Sequence, residues 1–233
     1  MKAAGSFRRD DSPEGAPAPS LLPSAAPPTN RPGPGPGDTV TNTATIDQPR
    51  AIATGCPDLG VYVACLASYN AGRLYGAWVD LEACHDLEAL NEAIAWVLKT
   101  SPAPDAEEWA IHDGSGLPRL LSRNEWPDLA DLISYAETWR ELPTADEAEA
   151  YAIACDDQGE ILSADAFRDC YRGCYRSGED YAQELAEECS GLPAERQWPL
   201  SCIDWEAAWR ELTFDGYREE RCSSGGVHIF CPA

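Results

Sequence analysis

Three histidines, ten cysteines and forty carboxylates are the side chains of this 233-residue sequence that could do chemistry. His85, His112 and His228 stand in no HExxH pattern, and neither a GxSxG elbow nor a phosphate-cradling glycine loop occurs. Cys170 and Cys174 lie four residues apart and could place two thiolates on one helix face, with His228 and Cys231 as the best further zinc ligands. No second Cys/His pair completes that set at a workable spacing, so the cysteines read as small apolar core residues. The run Asp156-Asp157-Gln158-Gly159-Glu160-Ile161, with Asp165 beyond it, imitates half of a calcium loop. Ala154 stands where its first ligand belongs and Gln158 replaces the usual acid, so the loop is read as silent. The reading is a non-enzyme with no catalytic residue, no metal and no cofactor. What remains is the carboxylates.

Forty Asp and Glu face 17 Lys and Arg, for a formal net charge of -23. Residues 1–55 hold five acids and five bases and cancel; residues 56–233 hold 35 acids against 12 bases and carry the whole imbalance. Helices with charge-rich solvated faces normally pair acids with bases at i,i+4, and here the bases are missing. Uncompensated repulsion destabilises a compact chain, so such a field implies use. A direct grip on nucleic-acid phosphate or on anionic membrane needs Lys and Arg, and both are excluded as partners. Hydrophobic content of 44% still permits a packed core.

The elements that must carry these charges fall into three small modules after a tail. Residues 1–55 contain ten of the 19 prolines, including PGPGPG at 32–37, and read as a disordered Pro-rich tail. The opening MKAAGSFRRDDSPEG has no apolar run of a signal peptide, which predicts a cytoplasmic, reducing compartment and free thiols. Order is expected to begin near Pro57. In the first module (56–117), residues 61–66 read as a buried strand, Asn70-Ala71-Gly72 as a tight connection, and 74–81 as the returning strand. Asp86 caps a helix with Leu87, Leu90, Ile94, Val97 and Leu98 on one stripe, and 108–113 alternates as a third strand. The second module (118–160) is helical. Leu129, Leu132, Ile133, Ala136 and Trp139 share a face, and Thr144 opens a second helix that Gly159 ends. It is too small to hide its core and must lean on a neighbour. The third (161–233) mixes helix and hairpin. Phe167, Cys170, Tyr171 and Cys174 form one stripe, then Tyr181, Leu185 and Cys189, which Gly191 and Pro193 close. A helix from Asp204 carries Trp205 and Trp209, and strands at 217–222 and 227–230 finish the chain. The fold class is α+β.

The motifs on these elements resemble the ArdA-type antirestriction proteins, DNA mimics carried by mobile genetic elements. Residues 61–78, VYVACLASYNAGRLYGAW, match the family's YxAxLxxYNxGxLxGxW opening, and Glu107 to Asp113 match its E-E-aromatic-AIHD. Ile203-Asp204-Trp205-Glu206-Ala207, Arg210-Glu211-Leu212 and Gly226-Val227-His228-Ile229-Phe230 continue the likeness in order. The tail is an addition to the pattern, and Gly114-Ser115-Gly116-Leu117-Pro118 replaces a stretch that is acidic and aromatic in the family.

The resemblance implies an elongated three-domain protein that dimerises through its third domain. It would occupy the DNA groove of the specificity/methyltransferase core of a type I restriction–modification enzyme. A dimer would then carry about 70 carboxylates, the phosphate count of about 35 base pairs. Tyr69, Asn70, Gly72, Gly76, Trp78, Ile111, His112 and Asp113 are expected to build the first module. The partner-binding acids are expected to be Glu107, Glu108, Asp128, Asp131, Glu137, Glu141, Asp146, Glu147, Glu149, Asp156, Asp157, Glu179, Asp180, Glu184, Glu187 and Glu188. The competing reading is an acidic adaptor that binds some other basic DNA-binding protein.

Overall fold

The structure is a computed structural model and describes residues 47–190, 198 and 200–232. Gly60–Cys65 (β2) is apolar on both faces because it is the inner strand of an antiparallel sheet. It pairs with Gly76–Asp80 (β3) on one side and Trp109–Ser115 (β4) on the other. Ile52–Ala53 (β1) extends the sheet to the order β1-β3-β2-β4. This corrects the expected start of order near Pro57. Ala51 and Ile52 are buried, and the Asp80 N–H donates to the Ala51 carbonyl at 2.8 Å. Two apolar residues among prolines and threonines give no period to read, so only the pairing with β3 reveals them. Residues 1–46 of the expected tail lie outside the described residues, as do Gly191 and Pro193.

The connection from β2 to β3 is a helical turn, Leu66–Asn70 (α1), and not a tight hairpin. Ser68 is fully buried and shares a hydrogen bond with Ser101 at 2.9 Å, which draws the chain inward before Gly72 reverses it at φ 75°. Leu74 is consequently outside the strand and 85% exposed. The expected alternation of 108–113 fails for a similarly local reason. A register shift sets Tyr62 opposite Asp113 and Val63 opposite Ile111, so His112 is the extra residue of a bulge. Ala110 and Ile111, in regular register with Ala64 and Val63, are both buried, while His112 projects outward with its ring edge-on to Tyr69 at 4.9 Å. Glu125 and Trp126 cover the free edge of β4: the Ile111 N–H donates to the Glu125 carbonyl and the Trp126 indole to the Trp109 carbonyl, each at 2.9 Å. Leu87–Lys99 (α2) starts at Asp86, whose carboxylate accepts the Ala89 N–H, and turns Leu90, Ala93, Ile94 and Val97 onto the sheet.

Arg119–Ser122 (α3), Leu129–Glu141 (α4) and Ala145–Gln158 (α5) follow. The Thr144 hydroxyl accepts the Glu147 N–H, and Gly159 ends α5 in the left-handed conformation, both as the sequence predicts. These helices share a core with their neighbours. Tyr135 stacks on Tyr151 (4.8 Å, 13°), Tyr151 meets the edge of Phe167 (5.3 Å), and Phe167 stacks on Tyr171 (5.0 Å, 14°). The buried phenols find acceptors: Tyr135 donates to the Gly116 carbonyl at 2.9 Å and Tyr151 to the Leu162 carbonyl at 2.7 Å. Burial pushes both phenols well above their ordinary ionisation range, so they remain neutral donors. One continuous apolar cluster thus runs from Ala51 to Phe230.

Phe167, Cys170, Tyr171 and Cys174 do not form a single helical stripe. Ala164–Cys170 (α6) stops at Cys170, whose carbonyl accepts the Cys231 N–H at 2.8 Å, and Tyr171–Tyr175 (β5) continues as a strand. Tertiary pairing overrides local period here: β5 joins a sheet of order β5-β7-β6 with Arg218–Arg221 (β6) and Val227–Phe230 (β7). The central strand β7 serves two cores, with Phe230 in the first and Ile229 in a second that includes Tyr181, Ala182 and Trp209. Gly178–Ser190 (α7) and Trp205–Phe214 (α8) supply that second core. A methyl group at Gly178 would lie 2.2 Å from the Trp209 ring, so only glycine lets α7 start there. Trp209 is buried in this second core, and Tyr171 packs against the first between Phe167 and Phe230.

Two stability outcomes follow from these contacts. A chain starting at Cys56 loses β1 and should be about 2–4 kcal/mol less stable than one starting at Asp47, by urea unfolding. Tyr151→Phe keeps the stack but strands the Leu162 carbonyl, for a loss of about 1–2 kcal/mol. Tyr151→Ala opens the column and should lose about 3–5 kcal/mol.

Candidate functional site

No Asp or Glu among the described residues is buried, so the charge read from the sequence lies on the surface. Glu107 and Glu108 precede β4 and are exposed. On α4 and its cap, Asp128, Asp131, Glu137 and Glu141 all face solvent. On α5, Asp157 is exposed, while Asp146, Glu147, Glu149 and Asp156 are half-buried. On α7, Glu184 and Glu188 are exposed, and Glu179, Asp180 and Glu187 are half-buried. An open groove between β5 and α7 gathers Asp180, Glu184 and Glu187 beside Tyr175 and Arg176.

Very little of this charge is neutralised by cations. Among the described residues, only Arg168, Arg176 and Arg218 form ion pairs with carboxylates. Arg168 bridges Glu141 and Asp165, Arg176 grips Asp180 at 2.9 Å, and Arg218 pairs with Asp157. Helix ends provide a second source of compensation. Asp86, Asp128 and Asp204 cap α2, α4 and α8, and acids occupy the first turns of α2, α4, α5, α6, α7 and α8. A carboxylate there meets the positive end of the helix dipole, worth about 0.3–1 kcal/mol each. The Ser177 hydroxyl, bonded to Glu179 at the start of α7, holds its carboxyl below the ordinary range.

Several acids are committed to architecture. Asp156 accepts the Leu120 N–H at 2.9 Å, and Glu149 accepts the Ser223 N–H at 2.9 Å. Burial alone would raise the Glu149 carboxyl, but the bonds from Ser223 and the proximity of His228 bring it below its ordinary value. Acids outside the expected set are equally exposed: Glu206 and Glu211 on α8, and Glu219 and Glu220 on β6. The run Arg218-Glu219-Glu220-Arg221 hid the last two, because its charges cancel on paper while its strand spreads them over two faces.

The residues of the opening motif divide by position. Gly76 is held against β2, where a side chain would meet the Val63 carbonyl at 2.3 Å. Trp78 packs edge-on to Tyr62 at 5.7 Å, and Ile111 is buried. Tyr69, Asn70, Gly72, His112 and Asp113 lie on the surface.

The four residues considered for zinc do not converge. Cys170 faces the Phe167 carbonyl within α6, and Cys231 donates to the Asp169 carbonyl at 3.3 Å. Cys174 and His228 do meet, but their companion is Cys222, a residue that spacing did not single out. All ten cysteines are free thiols, and five of them are buried.

No curated protein matches the chain significantly. Residues 61–221 match the antirestriction protein (ArdA) family, a span that runs from β2 to β6 and takes in all eight described α-helices. The chain belongs to the ArdA antirestriction protein family.

Proposed function

We propose that this protein is an inhibitor that takes the place of duplex DNA. It occupies the DNA-binding groove of the specificity/methyltransferase core of a type I restriction–modification enzyme, and it does so without catalysis. The observation that carries the reading is a net charge of -23 borne by carboxylates of which none described is buried and few are paired with cations. A groove that binds DNA must present Lys and Arg to phosphate. Carboxylates on a folded scaffold answer those cations without offering base edges, so inhibition would extend across enzymes that recognise different sequences. Functionally, the protein acts as a homodimer. Phe214 at the end of α8 is 75% exposed and Ile203 at its entrance 38%, an apolar margin beside the acidic faces.

The test is displacement of duplex DNA from a purified type I methyltransferase core, titrated at two salt concentrations. Binding should weaken as salt rises. Glu184→Gln should change the apparent Kd by less than about threefold, since one exposed pair is worth about 0–1 kcal/mol. Replacing Glu184, Glu187 and Glu188 together by Gln should weaken it by about tenfold or more, and all three lie beyond the first turn of α7, leaving the helix start intact. Inhibition with DNA still bound would refute mimicry and favour the adaptor reading.

Light scattering at micromolar concentration should return twice the chain mass, and Phe214→Asp should shift the protein to the monomer with its circular dichroism unchanged.

A further inference from the structure

We propose that Cys174, Cys222, His228 and Glu149 form a binding site for one zinc-class divalent cation. The donor atoms of Cys174, Cys222 and His228 all lie within 4.8 Å of one another. Glu149 Oε2 is 3.5 Å from His228 Nε2 and 3.9 Å from Cys222 Sγ. Bonds of about 2.0–2.3 Å to a tetrahedral zinc ion place neighbouring donors about 3.3–3.8 Å apart, so small side-chain movements suffice. Two sulfurs, one imidazole nitrogen and one carboxylate oxygen are the donor types that favour zinc over calcium or magnesium.

The backbone delivers these groups to one place. Cys174 and His228 are directly opposed across β5 and β7, which puts them on the same face. Tyr171 lies three residues before Cys174 and would fall on the other face of a regular strand. A bulge between Tyr171 and Gly173, with Gly173 at φ 117°, adds the residue that returns both to His228. Cys222 follows β6 and is held by its N–H to the Gly226 carbonyl at 3.1 Å, while Glu149 reaches over from α5.

His228 gives the independent sign of a ligand. The ring is fully buried, yet its Nε2 makes no hydrogen bond, whereas its Nδ1 lies 3.2 Å from the Tyr171 hydroxyl. A buried polar nitrogen that faces a carboxylate without a hydrogen bond is costly, and coordination satisfies it. The Tyr171 contact at the other nitrogen is the orienting interaction that ligating histidines use. Cys174 is exposed, and a concavity lined by Asp146, Cys174 and Ser224 gives access from solvent. Coordination by the two thiols releases their protons to solvent. The bound cation would then fasten α5 to the hairpin of β6 and β7.

The experiment uses the full chain, purified under reduction, stripped of metal and titrated with Zn²⁺ or Co²⁺ alone. The expected result is one ion per chain, a Co²⁺ spectrum with thiolate charge-transfer and tetrahedral bands, and a midpoint of thermal unfolding that falls with chelator and returns with zinc. Cys174→Ser and Cys222→Ser should each abolish the charge-transfer spectrum or reduce the affinity by about 100-fold, and Cys231→Ser should leave both unchanged. Tyr171→Phe, which keeps the ring, should lower affinity by about tenfold with stoichiometry intact. Circular dichroism of each variant separates loss of metal from loss of fold. The proposal is overturned if the wild type binds Co²⁺ no more tightly than the Cys174→Ser, Cys222→Ser double variant, or with an octahedral spectrum lacking thiolate bands. It is equally overturned if the stripped, reduced protein binds no ion at all.

Discussion

The packing of Tyr151 between the face of Tyr135 and Phe167, which it meets edge-on, is the contact on which the rest of the chain depends. Tyr135 belongs to α4, which reaches back to the first sheet through the hydroxyl bond to Gly116. Phe167 belongs to α6 and hands the column on to Tyr171 and Phe230 of the second sheet. Each aromatic pair adds about 0.5–1.5 kcal/mol beyond the area it buries. The larger gain is directional. Fixing the aromatic faces of α4 and α5 inward fixes their other faces outward, and those faces carry Asp131, Glu137, Glu141, Glu147 and Asp157. A polyanionic surface of defined shape is thus a by-product of a tightly registered aromatic core.

That core works against a standing cost. Carboxylates so heavily in excess repel one another, and surface ion pairs with three arginines cannot offset this, since each exposed pair is worth at most about 1 kcal/mol. The helices supply the remaining compensation. Acids stand at caps and first turns, where backbone N–H groups are unsatisfied and the dipole is positive. Breaking the chain into many short helices multiplies such sites, whereas one long helix would offer a single positive end. Short acidic helices and high negative charge are therefore mutually consistent features of this sequence.

Much of this was legible before the fold was known, and the failures have identifiable causes. Asp86, Thr144 and Asp204 announce their helices because capping is local chemistry between a side chain and an N–H three residues on. Gly159 likewise announces a helix end. The strand β1 was not legible, because two residues carry no period. The bulges at His112 and Arg172 were not legible either, since an extra residue in a strand is defined only by its partner. The change from α6 to β5 after Cys170 explains why Cys170 and Cys174 look like helical neighbours in the sequence and separate in the fold. Of the zinc candidates only Cys174 and His228 survived, and Cys222 joined them through a hairpin whose closure no spacing rule encodes. The distribution of acids was readable in outline, because position on an amphipathic helix predicts exposure.

Exposure alone does not make the acids equivalent. Glu149 receives the Ser223 N–H and faces His228, Asp156 receives the Leu120 N–H, and Glu219 accepts the Gly178 N–H at 3.1 Å. Each of these joins elements that are distant in sequence, and neutralising any of them would cost the scaffold before it cost the field. Glu137, Glu184 and Glu188 are exposed and make no ion pair among the described residues, so their charge is not offset within the chain. The effective polyanion is accordingly smaller than the count of carboxylates, and it is concentrated on helix faces that the aromatic column holds in place. A surface of interchangeable charges rests on a small number of carboxylates that are not interchangeable at all.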